Sequence, residues 1–266
     1  MTTRRLFPWA LGAAVSLAGC QSVPFTGRSH LVLVSQAQEK KLGEDAYKEA
    51  LTKGKVSTDQ EKVGMIRRIG HRISKVSNRP DFQWEFNVIE DDKQINAWCL
   101  PGGKVAFYTG ILPVTQTEVG NAVVMGHEVA HALARHGAER MSQGMVAQFG
   151  AQAASIFLGG SSSATREVFD KAYGLGANLG ILAYSRHQES EADHIGLILM
   201  AQAGYDPKEA VEFWGRMEKA TGGKGDNNPL AKFLGTHPPS KERQEQLRKW
   251  LPEAMTHYKP DAAAQK

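Results

Sequence analysis

The stretch GHEVAHALARH, residues 126–136, constrains this chain more than any other. On a helix each residue advances about 100°, so His127 and His131 lie about 40° apart on one face. Gly120, Val123, Val124, Ala134 and Ala138 share that face. Two imidazoles rising from an apolar stripe are costly to bury without a partner. A metal ion is the simplest partner, and zinc suits histidines at i and i+4, because both rings reach one ion from adjacent turns. Glu128 sits about 100° round, on the flank, where it reaches a water at the metal without taking a coordination place. That trio is hydrolytic chemistry: zinc brings the pKa of water towards about 7, and the carboxylate takes the proton as the water attacks a carbonyl. Two surface histidines would be the alternative, and the apolar face argues against it.

Such a site needs a third protein ligand. Gly137 stands where a short-spaced zinc pattern has its third histidine, and Gly150 and Ala151 stand where another has a glutamate. The next acidic cluster is SRHQESEADHIG, residues 185–196. There Glu189 and Asp193 share a helix face, whereas Glu191 points about 160° away from Glu189. Glu191 therefore reads as a solvated or locally paired carboxylate. His136 and His194 read as helix-surface histidines.

Around these segments the pattern is mostly helical. Residues 36–51 and 58–77 have helical apolar spacing, as in Val63, Ile66, Ile69 and Ile73. Phe82, Trp84, Phe86 and Val88 alternate with polar residues as in a half-buried strand. Ile95–Leu100 and Lys104–Thr109 flank Pro101-Gly102-Gly103, a turn signal, and predict a hairpin whose edge could pair with an extended peptide. Thr115 and Glu118 predict a capping box for a helix running to about Gln143. Residues 139–176, small, apolar and loop-broken, read as a lid or as ordinary core. A helical pattern over 166–203 ends at Gly204, and Asp206-Pro207-Lys208-Glu209 starts another helix. Ser240 to Trp250 is the last. The formal charge of +4 is small and scattered, which leaves no footprint for nucleic acid.

Residues 1–19 are a different object. MTTRR is a basic start, and LFPWALGAAVSLAG is an apolar run of signal-peptide length, shorter than the roughly twenty residues of a bilayer-spanning helix. Leu17-Ala18-Gly19-Cys20 resembles a bacterial lipoprotein box, in which Cys20 is lipidated and begins the mature chain. Gln21 rather than aspartate follows, and by resemblance to other lipoproteins that favours the periplasmic side of the outer membrane. Cys99 is then the remaining thiol, expected as a buried small apolar residue, with no intramolecular disulfide. The expected organisation is a leader over 1–19, a tether over 20–35, one domain over 36–255 and a polar tail over 256–266.

HExxH followed after a long gap by ExxxD resembles the HtpX, BepA and LoiP family of membrane-associated zinc metallopeptidases. The mitochondrial inner-membrane quality-control peptidases and the prenyl-protein proteases are similar too. INAWCLPGGKVAFYTGIL, GHEVAHALARH, YSRHQESEADHIG and THPPSKER carry the likeness, in that order. The resemblance implies an α+β, predominantly α-helical zincin-type domain with a small antiparallel sheet, holding one zinc ion per chain. It implies Glu189 as the third ligand and Asp193 as the acid that orients a ligating histidine. It brings THPPSKER to the site, with His237 as a switch ligand in the open metal position and Arg243 as a candidate for steadying an oxyanion. The implied function is endoproteolysis of misfolded or unassembled envelope proteins, with Glu128 as general base. Attachment would be to the membrane through the lipid on Cys20, and outer-membrane assembly machinery is an implied partner. The alternative is a zinc-stabilised chaperone or assembly factor whose site stays closed.

Overall fold

The computed structural model describes residues 20–149, 163–173, 184–221, 230–238 and 240–260. The leader over 1–19, most of the GGSSSAT and TGGKGDNNP loops and the end of the polar tail lie outside the described residues. The chain opens with β1 (Cys20–Ser22), antiparallel to β2 (Ser29–Leu31). Then come α1 (Gln36–Lys53) and α2 (Gln60–Val76). The strands β3 (Glu85–Ile89), β4 (Ala97–Leu100) and β5 (Lys104–Tyr108) follow. After a 3-10 turn come α3 (Leu112–Thr115), α4 (Glu118–Leu133) and α5 (His136–Phe149). The remaining helices are α6 (Ser163–Tyr173), α7 (Arg186–Gln202), α8 (Lys208–Thr221), α9 (Ala231–Thr236) and α10 (Lys241–His257). The fold is thus mostly helical with small sheets, as expected of a zincin-type domain. None of the described helices is long and apolar enough to cross a membrane.

Local chemistry sets the helix starts. Ser35 and Gln38 cap α1 reciprocally, and Ser185 and Gln188 do the same for α7. The stripe Val63, Ile66, Ile69 and Ile73 turns α2 onto the core, where all four are buried. Gly204, at φ 89°, follows α7 in the left-handed conformation that ends it.

The hairpin β4–β5 turns at Gly102 and Gly103, both at positive φ. The sheet is mixed rather than wholly antiparallel: β3 pairs with β5 in parallel, giving the order β3-β5-β4. Strand β5 is paired on both sides, which places β4 at one edge, and both strands are buried at every position.

Two expectations for the central helix change. Its cap is Thr117, whose hydroxyl accepts from the Gly120 amide at 2.9 Å. Gln116 at φ 66° ends α3 first, and the Thr115 hydroxyl instead donates to the Leu112 carbonyl and Asn121 Oδ1. Nor does the helix run on to Gln143. It breaks after Leu133, because Arg135 takes φ 55° and sends its guanidinium inward to Glu39, with Nε 2.7 Å from Oε2, and to the Val34 carbonyl.

The stretch expected as a tether folds onto the domain. Val23, His30, Val32 and Val34 are buried, and Leu33 donates its amide to the Ser142 hydroxyl on α5. Arg28 forks onto Glu139 at 2.9 Å through both terminal nitrogens. Within the expected lid, α5 and α6 pack on one another with Met141, Met145 and Phe169 fully buried. Residues 150–162 and 174–176 of that stretch lie outside the described residues.

Candidate metal centre

Helices α4 and α7 pack closely on each other and carry the site between them. Helix α4 presents His127, Glu128 and His131; α7 presents Glu189, Glu191 and Asp193. His237, the residue that ends α9, arrives from a third direction. One donor atom from each of His127, His131, Glu189 and His237 falls within a group whose members all lie within 4.8 Å of one another. All four residues are buried.

The rings face each other. His127 Nε2 lies 3.1 Å from His131 Nε2 and 3.1 Å from His237 Nδ1. Glu189 brings Oε1 to 3.2 Å from His131 Nε2 and Oε2 to 3.1 Å from His237 Nδ1. Glu128 Oε1 has no hydrogen-bond partner and lies 3.4 Å from His237 Nε2. Three imidazole nitrogens and a carboxylate aimed at one buried point are the donor set of a zinc ion, so the residues fit the metal that the sequence implies.

Charge follows burial and neighbours. Burial pushes the Glu128 carboxyl up, against the pull of His237 and His127. Burial also raises Glu189, but His237 and His127 outweigh it and hold that carboxyl well below the usual range. Burial depresses His127, and the carboxylates of Glu189 and Asp193 reverse this and raise it to about 9. His131 is held well below the ordinary histidine value, chiefly by burial. Cys99 lies on β4, buried, and burial pushes its thiol well up.

Asp193 lies behind the first histidine, its Oδ1 at 2.9 Å from His127 Nδ1. Arg243 is committed to the same acid: Nε and one terminal nitrogen sit 2.6 Å from the two oxygens of Asp193. Its guanidinium also stacks 3.3 Å above Trp214. This geometry gives Arg243 the holding of Asp193, and its other terminal nitrogen lies 3.3 Å from Glu189 Oε2, beside the donor cluster.

His136 and Glu191 differ from what the sequence suggested. His136 is fully buried, with Nδ1 2.8 Å from His131 Nδ1 and Nε2 3.0 Å from Glu191 Oε2. Helical angles mislead here because the chain breaks at Arg135, which rotates His136 back under His131. Glu191 is indeed paired, though its partners His136, Arg28 and Thr26 are remote in sequence. His194 stays at the surface and meets Glu253 at 2.8 Å. Tyr184 stacks on the His131 ring, with centroids 3.9 Å apart, a contact for which the sequence held no signal.

A family model described as peptidase family M48 matches residues 60–251. The chain is 38% identical over 261 residues to the mitochondrial metalloendopeptidase OMA1 of Schizosaccharomyces pombe, covering 94% of this chain and 73% of that one. It is 32% identical over 251 residues to the same-named protein of Saccharomyces cerevisiae, covering 88% and 70%. To the beta-barrel assembly-enhancing protease of Escherichia coli it is 24% identical over 232 residues, covering 82% and 44%. Against the mitochondrial names, the outer-membrane location expected from the LAGC box does not stand.

Proposed function

The chain belongs to peptidase family M48 and is a zinc metalloendopeptidase, and from that premise we propose that it cleaves misfolded or unassembled polypeptides with Glu128 as general base. One observation carries the assignment of roles. The donors of His127, His131 and Glu189 converge, and beside them a buried Glu128 oxygen makes no hydrogen bond.

In this reading His127, His131 and Glu189 hold the metal, which supplies Lewis acidity and a lowered water pKa when bound. Glu128 receives the proton at Oε1 and returns it to the leaving amine. Asp193 fixes the His127 ring through Nδ1, and Arg243 fixes Asp193. Among the described residues β4 pairs with β5 alone, and in this reading an extended substrate adds along its other edge. An unfolded chain meets that requirement, and the E. coli relative's name, a protease that enhances β-barrel assembly, is consistent with such substrates. Cys20 as a lipidated residue and residues 1–19 as a leader belong to the same proposal; mass spectrometry of the mature N-terminus tests both.

His237 supports a second reading. It fills the fourth donor position and faces Glu128, so the same geometry fits a zinc-stabilised factor whose site stays closed. Cleavage of casein by residues 21–266, run beside Glu128→Gln with zinc measured in both, separates the two. The peptidase reading expects equal zinc and a rate lower by about 10²–10⁴-fold in the variant. Equal zinc with no cleavage by either protein would favour the closed factor.

A further inference from the structure

The contacts behind His131 have no part in the roles assigned so far. Because His131 Nε2 faces the donor cluster, its Nδ1 faces away and meets His136 Nδ1 at 2.8 Å. Two ring nitrogens at that distance share one proton. A His131 that offers Nε2 to a metal carries its proton on Nδ1, so His136 accepts there. The proton of His136 then sits on Nε2 and is donated to Glu191 Oε2 at 3.0 Å. Each ring in this chain therefore has a single consistent tautomer.

Glu191 is held from its other side by Arg28 Nε at 2.8 Å and by the Thr26 hydroxyl. Both residues lie in the turn between β1 and β2, and the same Arg28 also grips Glu139. The two ligand histidines are thus backed differently. His127 rests directly on Asp193, whereas His131 rests on Glu191 through the fully buried ring of His136.

We propose that His136 and Glu191 are positioning residues for the His131 metal ligand, and that the N-terminal hairpin, through Arg28, holds this relay in register. The strength of metal binding is then coupled to docking of the hairpin on α5 and α7. The inference rests on His131 being a ligand, as argued above. Partners behind a ligating histidine fix its ring and raise its basicity, and their loss typically weakens metal binding about 10–100-fold.

The test uses the full chain and zinc itself, with chelator competition for Kd, the absorption spectrum of the cobalt-substituted protein, and the Tm of the metal-free form. His136→Phe and Glu191→Ala are expected to weaken zinc about 10–100-fold and to alter the cobalt bands. Glu191→Gln keeps an acceptor oxygen and should recover part of the affinity. Arg28→Ala should lie between wild type and Glu191→Ala, with Arg28→Lys closer to wild type. A zinc Kd within about twofold of wild type in both His136→Phe and Glu191→Ala, with only the metal-free Tm lowered, would overturn the relay as a positioning device. If His131→Ala leaves zinc Kd unchanged, the ligand reading itself fails, and the two failures are thereby distinct.

Discussion

Gly126 and Gly196 meet backbone to backbone where α4 crosses α7. A Cβ on Gly126 would lie 2.9 Å from the Gly196 carbonyl oxygen, and one on Gly196 would lie 3.0 Å from the Gly126 carbonyl carbon. Gly126 directly precedes His127, and Gly196 follows Asp193 by less than one turn. This crossing sets the separation between the histidine pair and Glu189. Gly196→Ala is expected to force the helices apart at a cost of about 1–3 kcal/mol. Its signature is a lowered Tm together with weaker zinc binding. A lowered Tm with an unchanged zinc Kd would show that the crossing does not tune the site.

His237 stands 3.1 Å from both His127 Nε2 and Glu189 Oε2. His237→Ala should keep one zinc on the remaining three ligands and speed casein cleavage. A rise of about tenfold would correspond to roughly nine-tenths of wild-type molecules resting closed. A slower enzyme would instead make His237 part of the working site.

Arg135 and Glu39 are both buried, and their ion pair holds the break between α4 and α5. Arg135→Ala leaves the Glu39 carboxylate buried with the Tyr173 hydroxyl, which donates to its Oε1 at 2.6 Å. Removing one partner of such a pair costs about 3–5 kcal/mol, so Tm should fall by something of the order of 10 °C. Adding Glu39→Gln to that variant should restore part of the loss. Thermal unfolding of the single and double variants reads this coupling directly.

Glu139 gives the pH dependence its sign. Burial raises its carboxyl, but the hydrogen bonds of His30, Arg28 and Gln188 outweigh that and hold it below its ordinary value of 4.5. A depressed folded pKa contributes stability that is complete above the unfolded value and is lost as pH falls below it. Tm of the wild type should therefore drop steeply below about pH 4.5, and Glu139→Gln should flatten that acid limb. The variant should also be less stable at pH 7. Parallel acid limbs in the two proteins would sink this assignment.

The sequence alone determined the parts that depend on local geometry. Histidines at i and i+4 share a helix face wherever that helix forms, and Glu128 lies on their flank by the same rotation. The start of α10 at Ser240 and the glycine hairpin between β4 and β5 were readable for the same reason, since their partners are a few residues away. Spacing put Glu189 and Asp193 on one helix face; the family likeness gave them their roles and added His237. Tertiary structure decided the rest. The break at Arg135 is made by Glu39, an acid on another helix, and it turns His136 from a surface residue into the buried neighbour of His131. Glu191 gains its role from Arg28 and Thr26, on a hairpin that reads as a tether until it packs. The parallel pairing of β3 with β5 likewise needs the hairpin folded before its central strand can be recognised. Periodicity records which way a side chain leaves its own helix; it carries no record of the distant charge that waits for it there.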